Sequence, residues 1–134
     1  MVRSIVLVIG AYVAMAVIVV LGTLSAAAVL EPASLQAFTE RTAEYRPSAA
    51  YLTANLLVSF LGAAFGGWIV ASLAPAAVRG HLLAFAAVIL LLGLLSAFAS
   101  GAAAGQPGWY PWVIPVVAIA GVAAAGAVTR RRAA

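Results

Sequence analysis

The sequence predicts an all-α fold, a single bundle of four transmembrane helices joined by short loops, with one short extramembrane helix able to lie on the membrane surface. Three observations predict it. Of 134 residues, 66% are hydrophobic and 7% charged, against roughly a quarter charged in soluble domains; a chain this short lacks the polar groups to face water, so its outside must be lipid. Charge is absent from three stretches, 4–30, 47–78 and 82–129, each longer than the roughly 20 residues that cross a bilayer as a helix. The last is long enough for two crossings and is broken by Gly105-Gln106-Pro107-Gly108-Trp109-Tyr110-Pro111, where proline removes donors and glycine favours turns. The chain, 1–134, therefore reads as one integral membrane domain with spans of about 4–30, 48–74, 81–104 and 110–129.

The first span is read as helix because a backbone in lipid must satisfy its own hydrogen bonds, and a closed barrel would need alternating strands. Runs such as Ile18-Val19-Val20-Leu21 do not alternate. Arg3 ahead of an apolar run and Ala26-Ala27-Ala28 behind it also fit a signal peptide. The apolar run from Ile5 to Leu24 exceeds the roughly 7–15 residues of a secretory core, so the segment is read as retained.

The segment 31–46 is the only one with content outside the spans. Glu31-Pro32 suits a helix start, and Leu35 and Phe38 share a face. It is expected to be a solvated connector in which Glu40, Arg41, Glu44 and Arg46 form local ion pairs of little worth.

The second span carries the most organised pattern. Asn55, Ser59, Gly62 and Gly66 are spaced 4, 3 and 4, which puts them on one helical stripe. In lipid, helices associate through close backbone approach at small residues and through interhelical hydrogen bonds; Gly62 and Gly66 suit the first, Asn55 and Ser59 the second. The same two polar residues are the candidates for a polar station in the membrane. Small residues recur as Gly93, Ala97, Ser100 and Ala104 in the third span, Ala118, Gly121 and Ala125 in the fourth, and Gly10 with Ala14 and Gly22 with Ala26 in the first.

Orientation follows from arginine. With four spans, Arg3, Arg79, Arg130, Arg131 and Arg132 share one side, and Arg41 and Arg46 the other. The enrichment of basic residues in cytoplasmic loops puts both termini in the cytoplasm. Tyr45 and Tyr51, and Trp109, Tyr110 and Trp112, read as aromatic belts at the interface. Arg79 and His81 are read as interfacial residues at the start of the third span.

Several functions are excluded. There is no Cys, Asp or Lys, hence no disulfide, thiolate metal site or Schiff base. His81 is the lone histidine and has no second ligand for zinc or di-haem chemistry, so no metal or cofactor is expected. No basic face runs along any element, so no nucleic-acid partner is expected. No span carries an ionisable group in its middle, as proton-coupled transport would require. An enzyme is not expected.

Gly66-Gly67-Trp68-Ile69-Val70-Ala71 near the end of the second span, the Pro- and Arg-containing loop after it, and His81 opening the third resemble a pattern found in small, uncharacterised four-helix bacterial integral membrane proteins. The resemblance implies topology and a bacterial origin, and carries no activity. Arginine as the only basic type besides His81, with abundant Ala and Gly, also suggests a GC-rich bacterial genome. The expected location is the bacterial inner membrane. The expected role is non-catalytic, by lateral helix association with other membrane subunits or itself, as an accessory or stabilising subunit. The alternative is a small homo-oligomeric channel or permease with Thr53, Asn55, Ser59 and Ser96 lining its path.

Overall fold

The computed structural model describes residues 2–31, 46–74, 76–100 and 106–132. Among them are four helices and no strand: α1 (Val2–Leu30), α2 (Ala49–Leu73), α3 (Val78–Ser100) and α4 (Tyr110–Arg132). Each is long and apolar enough to cross a membrane. The short helix and ion pairs expected over 31–46 fall, except for Glu31 and Arg46, outside the described residues, as do Tyr45 and Ala104.

The helix ends are set by local capping. The Glu31 amide donates to the Ala27 carbonyl at 2.9 Å, closing α1. Ser48 caps α2: its backbone is extended and its hydroxyl accepts from the Tyr51 amide at 3.2 Å, satisfying one of the donors that the first helical turn leaves open. The third helix starts at Val78, three residues before the expected 81. There the Ala77 carbonyl accepts from the amides of Gly80 and His81 at 2.8 and 3.3 Å. The fourth runs beyond the expected 129 to Arg132, since basic residues suit the negative end of a helix dipole and do not stop a helix. Pro111 falls in its first turn, where a missing donor costs nothing. Pro115 lies inside α4, fully buried.

The second helix touches all three others, most extensively α4 and α1; α3 packs on α4 and more lightly on α2 and α1. Glycine explains the tightest seam. A Cβ on Gly121 of α4 would run into the Phe60 carbonyl oxygen and lie 3.0 Å from the Ala64 nitrogen of α2. Across the same seam, a Cβ on Gly67 would meet the Val122 Cα and the Ala125 Cβ, each at 3.2 Å. The two backbones are thus in contact, an approach that only glycine allows. On α3, Gly93 accepts the ring of Pro115, which would lie 2.7 Å from an added Cβ. The proline-bearing turn of α4 is thereby packed against a glycine of α3.

Two buried clusters result. The larger draws Ala11 and Met15 from α1, Ala63 and Val70 from α2, Phe85 and Ile89 from α3, and Ala118 and Val122 from α4. The smaller joins Ala27, Tyr51, Leu52 and Tyr110 where α1 ends and α2 and α4 begin. The outward faces remain apolar, with Val13 and Val17 of α1 and Leu91 and Leu95 of α3 all more than half exposed. The small-residue pair expected at Gly10 and Ala14 is no seam at Gly10, since nothing lies within 4 Å of a Cβ added there.

These environments predict opposite outcomes for two glycines. Gly121→Leu should force α2 and α4 apart and lower stability by several kcal/mol, on the order of the 1–3 kcal/mol or more that overpacking costs. Gly10→Leu should stay within about 1 kcal/mol of the parent, the scale of a helix-propensity change. Denaturing-detergent titration followed by helix content checks both; equal losses would contradict the assigned seam.

Candidate functional site

The stripe Asn55, Ser59, Gly62 and Gly66 sits on the side of α2 that meets α1, and its last member also reaches α3. An added Cβ on Gly62 would contact the Val19 side chain at 2.9 Å and the Met15 carbonyl at 3.4 Å. On Gly66 it would strike the Phe85 ring at 2.6 Å and the Ala11 carbonyl at 3.2 Å. Gly67, one residue or about 100° further round the helix, serves the opposite seam with α4. Two adjacent glycines therefore let α2 approach two neighbours at the same level.

At the other end of the stripe, Asn55 joins three helices. Its Oδ1 accepts from the Thr23 hydroxyl of α1 at 2.7 Å, and its Nδ2 donates to the Tyr110 hydroxyl of α4 at 2.8 Å. The Tyr110 hydroxyl lies 3.4 Å from the Leu52 carbonyl, toward which it donates. Ser59 turns inward on its own helix, its hydroxyl donating to the Asn55 carbonyl at 2.8 Å. It is buried, yet makes no bond to another helix. Each of these side chains has a protein partner, as buried polar groups require, and the set carries no formal charge.

Tyr51 and Tyr110, expected in the aromatic belts, are 2% and 1% exposed and pack inside the smaller cluster. An aromatic ring with a hydroxyl can be buried wherever that hydroxyl finds a partner; for Tyr110 the partner is Asn55, 55 residues away in sequence. Trp109 and Trp112 do stand exposed, Trp112 edge-on to Phe98 of α3 with ring centroids 4.9 Å apart. The reading of Glu31 as part of a solvated connector is corrected as well. It is 8% exposed, and its carboxylate accepts from the Ser48 amide at 2.6 Å. The chain thus places a carboxylate at the positive end of the α2 dipole while ending α1. Sequence reasoning missed Thr23, Tyr110 and Glu31 as members of one end structure.

The remaining candidates do not converge. Thr53 is exposed and bonds its own helix at the Ala49 carbonyl, 2.8 Å away; Ser96 is exposed on α3. Arg79 is exposed, and His81 is partly buried with Nδ1 3.2 Å from the Ala77 carbonyl. The backbone of Arg130, Arg131 and Arg132 continues α4. Among the described residues no three His, Asp or Glu side chains gather as metal ligands do.

No family model, no curated protein and no solved structure matches the chain.

The geometry makes Asn55 a clasp. Asn55→Leu should cost about 1–2 kcal/mol and Tyr110→Phe about 1 kcal/mol. The double variant should lose clearly less than the two together, because both delete the same bond. A double-variant cycle in denaturing detergent reads this, and strictly additive losses would show that the bond contributes nothing.

Proposed function

We propose that this chain is a multi-pass protein of the bacterial inner membrane, with both termini in the cytoplasm. It acts without catalysis, by lateral association, as an accessory or stabilising subunit of a larger membrane assembly. The observation that carries this reading is how the bundle spends its inward-facing groups. Thr23, Asn55 and Tyr110 bond one another, Ser59 bonds its own helix, and Gly62, Gly66, Gly67 and Gly121 are covered by neighbouring helices. The interior is used for holding the helices together, and what is presented outward is broad apolar helix surface, as on α1 and α3. Such surface meets lipid or another apolar helix.

Membrane insertion is supported by four helices long and apolar enough to cross, and orientation by the arginine bias of the sequence. Reporter fusions after Arg132 and within 31–46 should therefore report opposite sides, with the C-terminal fusion cytoplasmic. The reverse pattern would overturn the orientation.

The competing channel reading keeps one support, that Thr53 and Ser96 lie on outer faces, where they would line a path only between copies. Gentle solubilisation followed by mass spectrometry of whatever accompanies the chain separates the two. Stoichiometric recovery with a larger membrane complex is the expected result. A pure homo-oligomer that passes ions or solutes in liposomes would sink the accessory role.

A further inference from the structure

Near the start of α1 a groove of about 450 Å³ opens between that helix and the last turns of α2. Val6, Leu7 and Ala11 wall it on one side and Ile69 and Leu73 on the other, with Gly10 between them. Elsewhere on this pair of helices glycine marks contact: a Cβ on Gly22 would strike Val58, and one on Gly62 would meet Val19 at 2.9 Å. Gly10 is the opposite case, exposed and with nothing within 4 Å of an added Cβ. Its missing side chain widens a space that no other described part of the chain fills. The volume lies within the roughly 300–1,000 Å³ of ligand clefts.

One charged residue lines this groove. Arg3 stands exposed in the first turn of α1, roughly 10 Å along the helix from Gly10. Its guanidinium is cationic at every physiological pH and offers a planar fork of donors that matches a phosphate. Among the described residues it has no ion pair or hydrogen-bond partner of its own. The surroundings keep the same sign. Arg79 lies in the first turn of α3 and Arg130, Arg131 and Arg132 close α4, at the same end of the bundle. Every Glu of the chain falls between α1 and α2 in sequence and there is no Asp, so neither belongs to the segments that meet here.

We propose that the α1–α2 groove binds an anionic phospholipid, with an acyl chain passing Gly10 between Val6 of α1 and Ile69 and Leu73 of α2, and the phosphate against the Arg3 guanidinium. The proposal rests on the membrane reading above. Charge chooses the occupant. An apolar helix could fill the groove but would leave Arg3 without a counter-ion, and the ammonium of a zwitterionic lipid would meet an end whose formally charged side chains are all arginine. Basic pockets between transmembrane helices at the cytoplasmic face hold anionic headgroups in this way.

The test uses the full chain in nanodiscs of equimolar phosphatidylglycerol and phosphatidylcholine, then native mass spectrometry of the lipid retained after release into neutral detergent. Phosphatidylglycerol should be retained in preference. Arg3→Gln should lower that preference about fivefold, the worth of one basic residue at an anionic surface, while some lipid is still held. Gly10→Leu, which fills the groove without entering a packed seam, should lose retained lipid of both kinds. Arg79→Gln removes the same charge from the same end but lies outside the groove, and should leave the preference largely intact. A preference unchanged in Arg3→Gln, or retention unchanged in Gly10→Leu, overturns the site, as does an equal loss in Arg79→Gln, which would mean diffuse charge. A parent chain recovered as a dimer that Gly10→Leu makes monomeric would give the groove to a second copy and overturn the lipid. A chain that resists alkaline extraction from membranes yet shows no preference refutes the lipid site only; one that is extracted refutes the membrane reading and the site with it.

Discussion

Contact between the backbones of α2 and α4 is the constraint on which the rest of the structure depends. Where both the inside and the surroundings of a bundle are apolar, burying a leucine gains little, and helices hold through dispersion contacts that require close approach. Gly121 against Phe60 and Ala64, and Gly67 against Val122 and Ala125, give that approach along one seam. The second helix then has its remaining circumference free for α1 on the Gly62–Gly66 side, and its single-residue offset between Gly66 and Gly67 serves both neighbours at once. Phe85 of α3 enters over Gly66 of α2, while α3 takes most of its packing from α4, where Gly93 faces Pro115.

Close packing of small residues has a weakness: smooth surfaces slide. The polar contacts at the opposite end supply register. Asn55 can meet Thr23 and Tyr110 together only when α1, α2 and α4 are at one height and one rotation, and a slipped register would leave an amide unpaired in apolar surroundings. Glu31 adds a tie between the end of α1 and the start of α2. The bundle is therefore pinned by directional bonds at one end and filled by a large apolar cluster toward the other, where open clefts remain between helices.

Much of the fold was legible in the amino-acid order. The absence of charge over 4–30, 47–78 and 82–129 and the Gly- and Pro-rich break at 105–111 determined that there are four long apolar helices, because segment length and solvent transfer are local, additive properties of a chain. The small-residue spacing of α2 was equally legible, since a helix converts spacing directly into a face. What the order of residues left open was which face meets which neighbour. Tyr110 looked like a belt residue because an aromatic beside two tryptophans near a span end has the composition of an interface; its burial depends on Asn55, which lies in another helix. Gly10 looked like a packing residue and faces open space, while Gly121 and Gly67, in the same kind of local sequence, touch backbone. Likewise Glu31 reads as the start of a connector until Ser48 is brought beside it. Sequence alone determined the helices and their lengths because those depend on neighbours along the chain. The partners of Asn55, the burial of both tyrosines and the groove beside Arg3 were decided by tertiary structure, because they depend on the rotation of each helix about its axis, which only contact between helices sets.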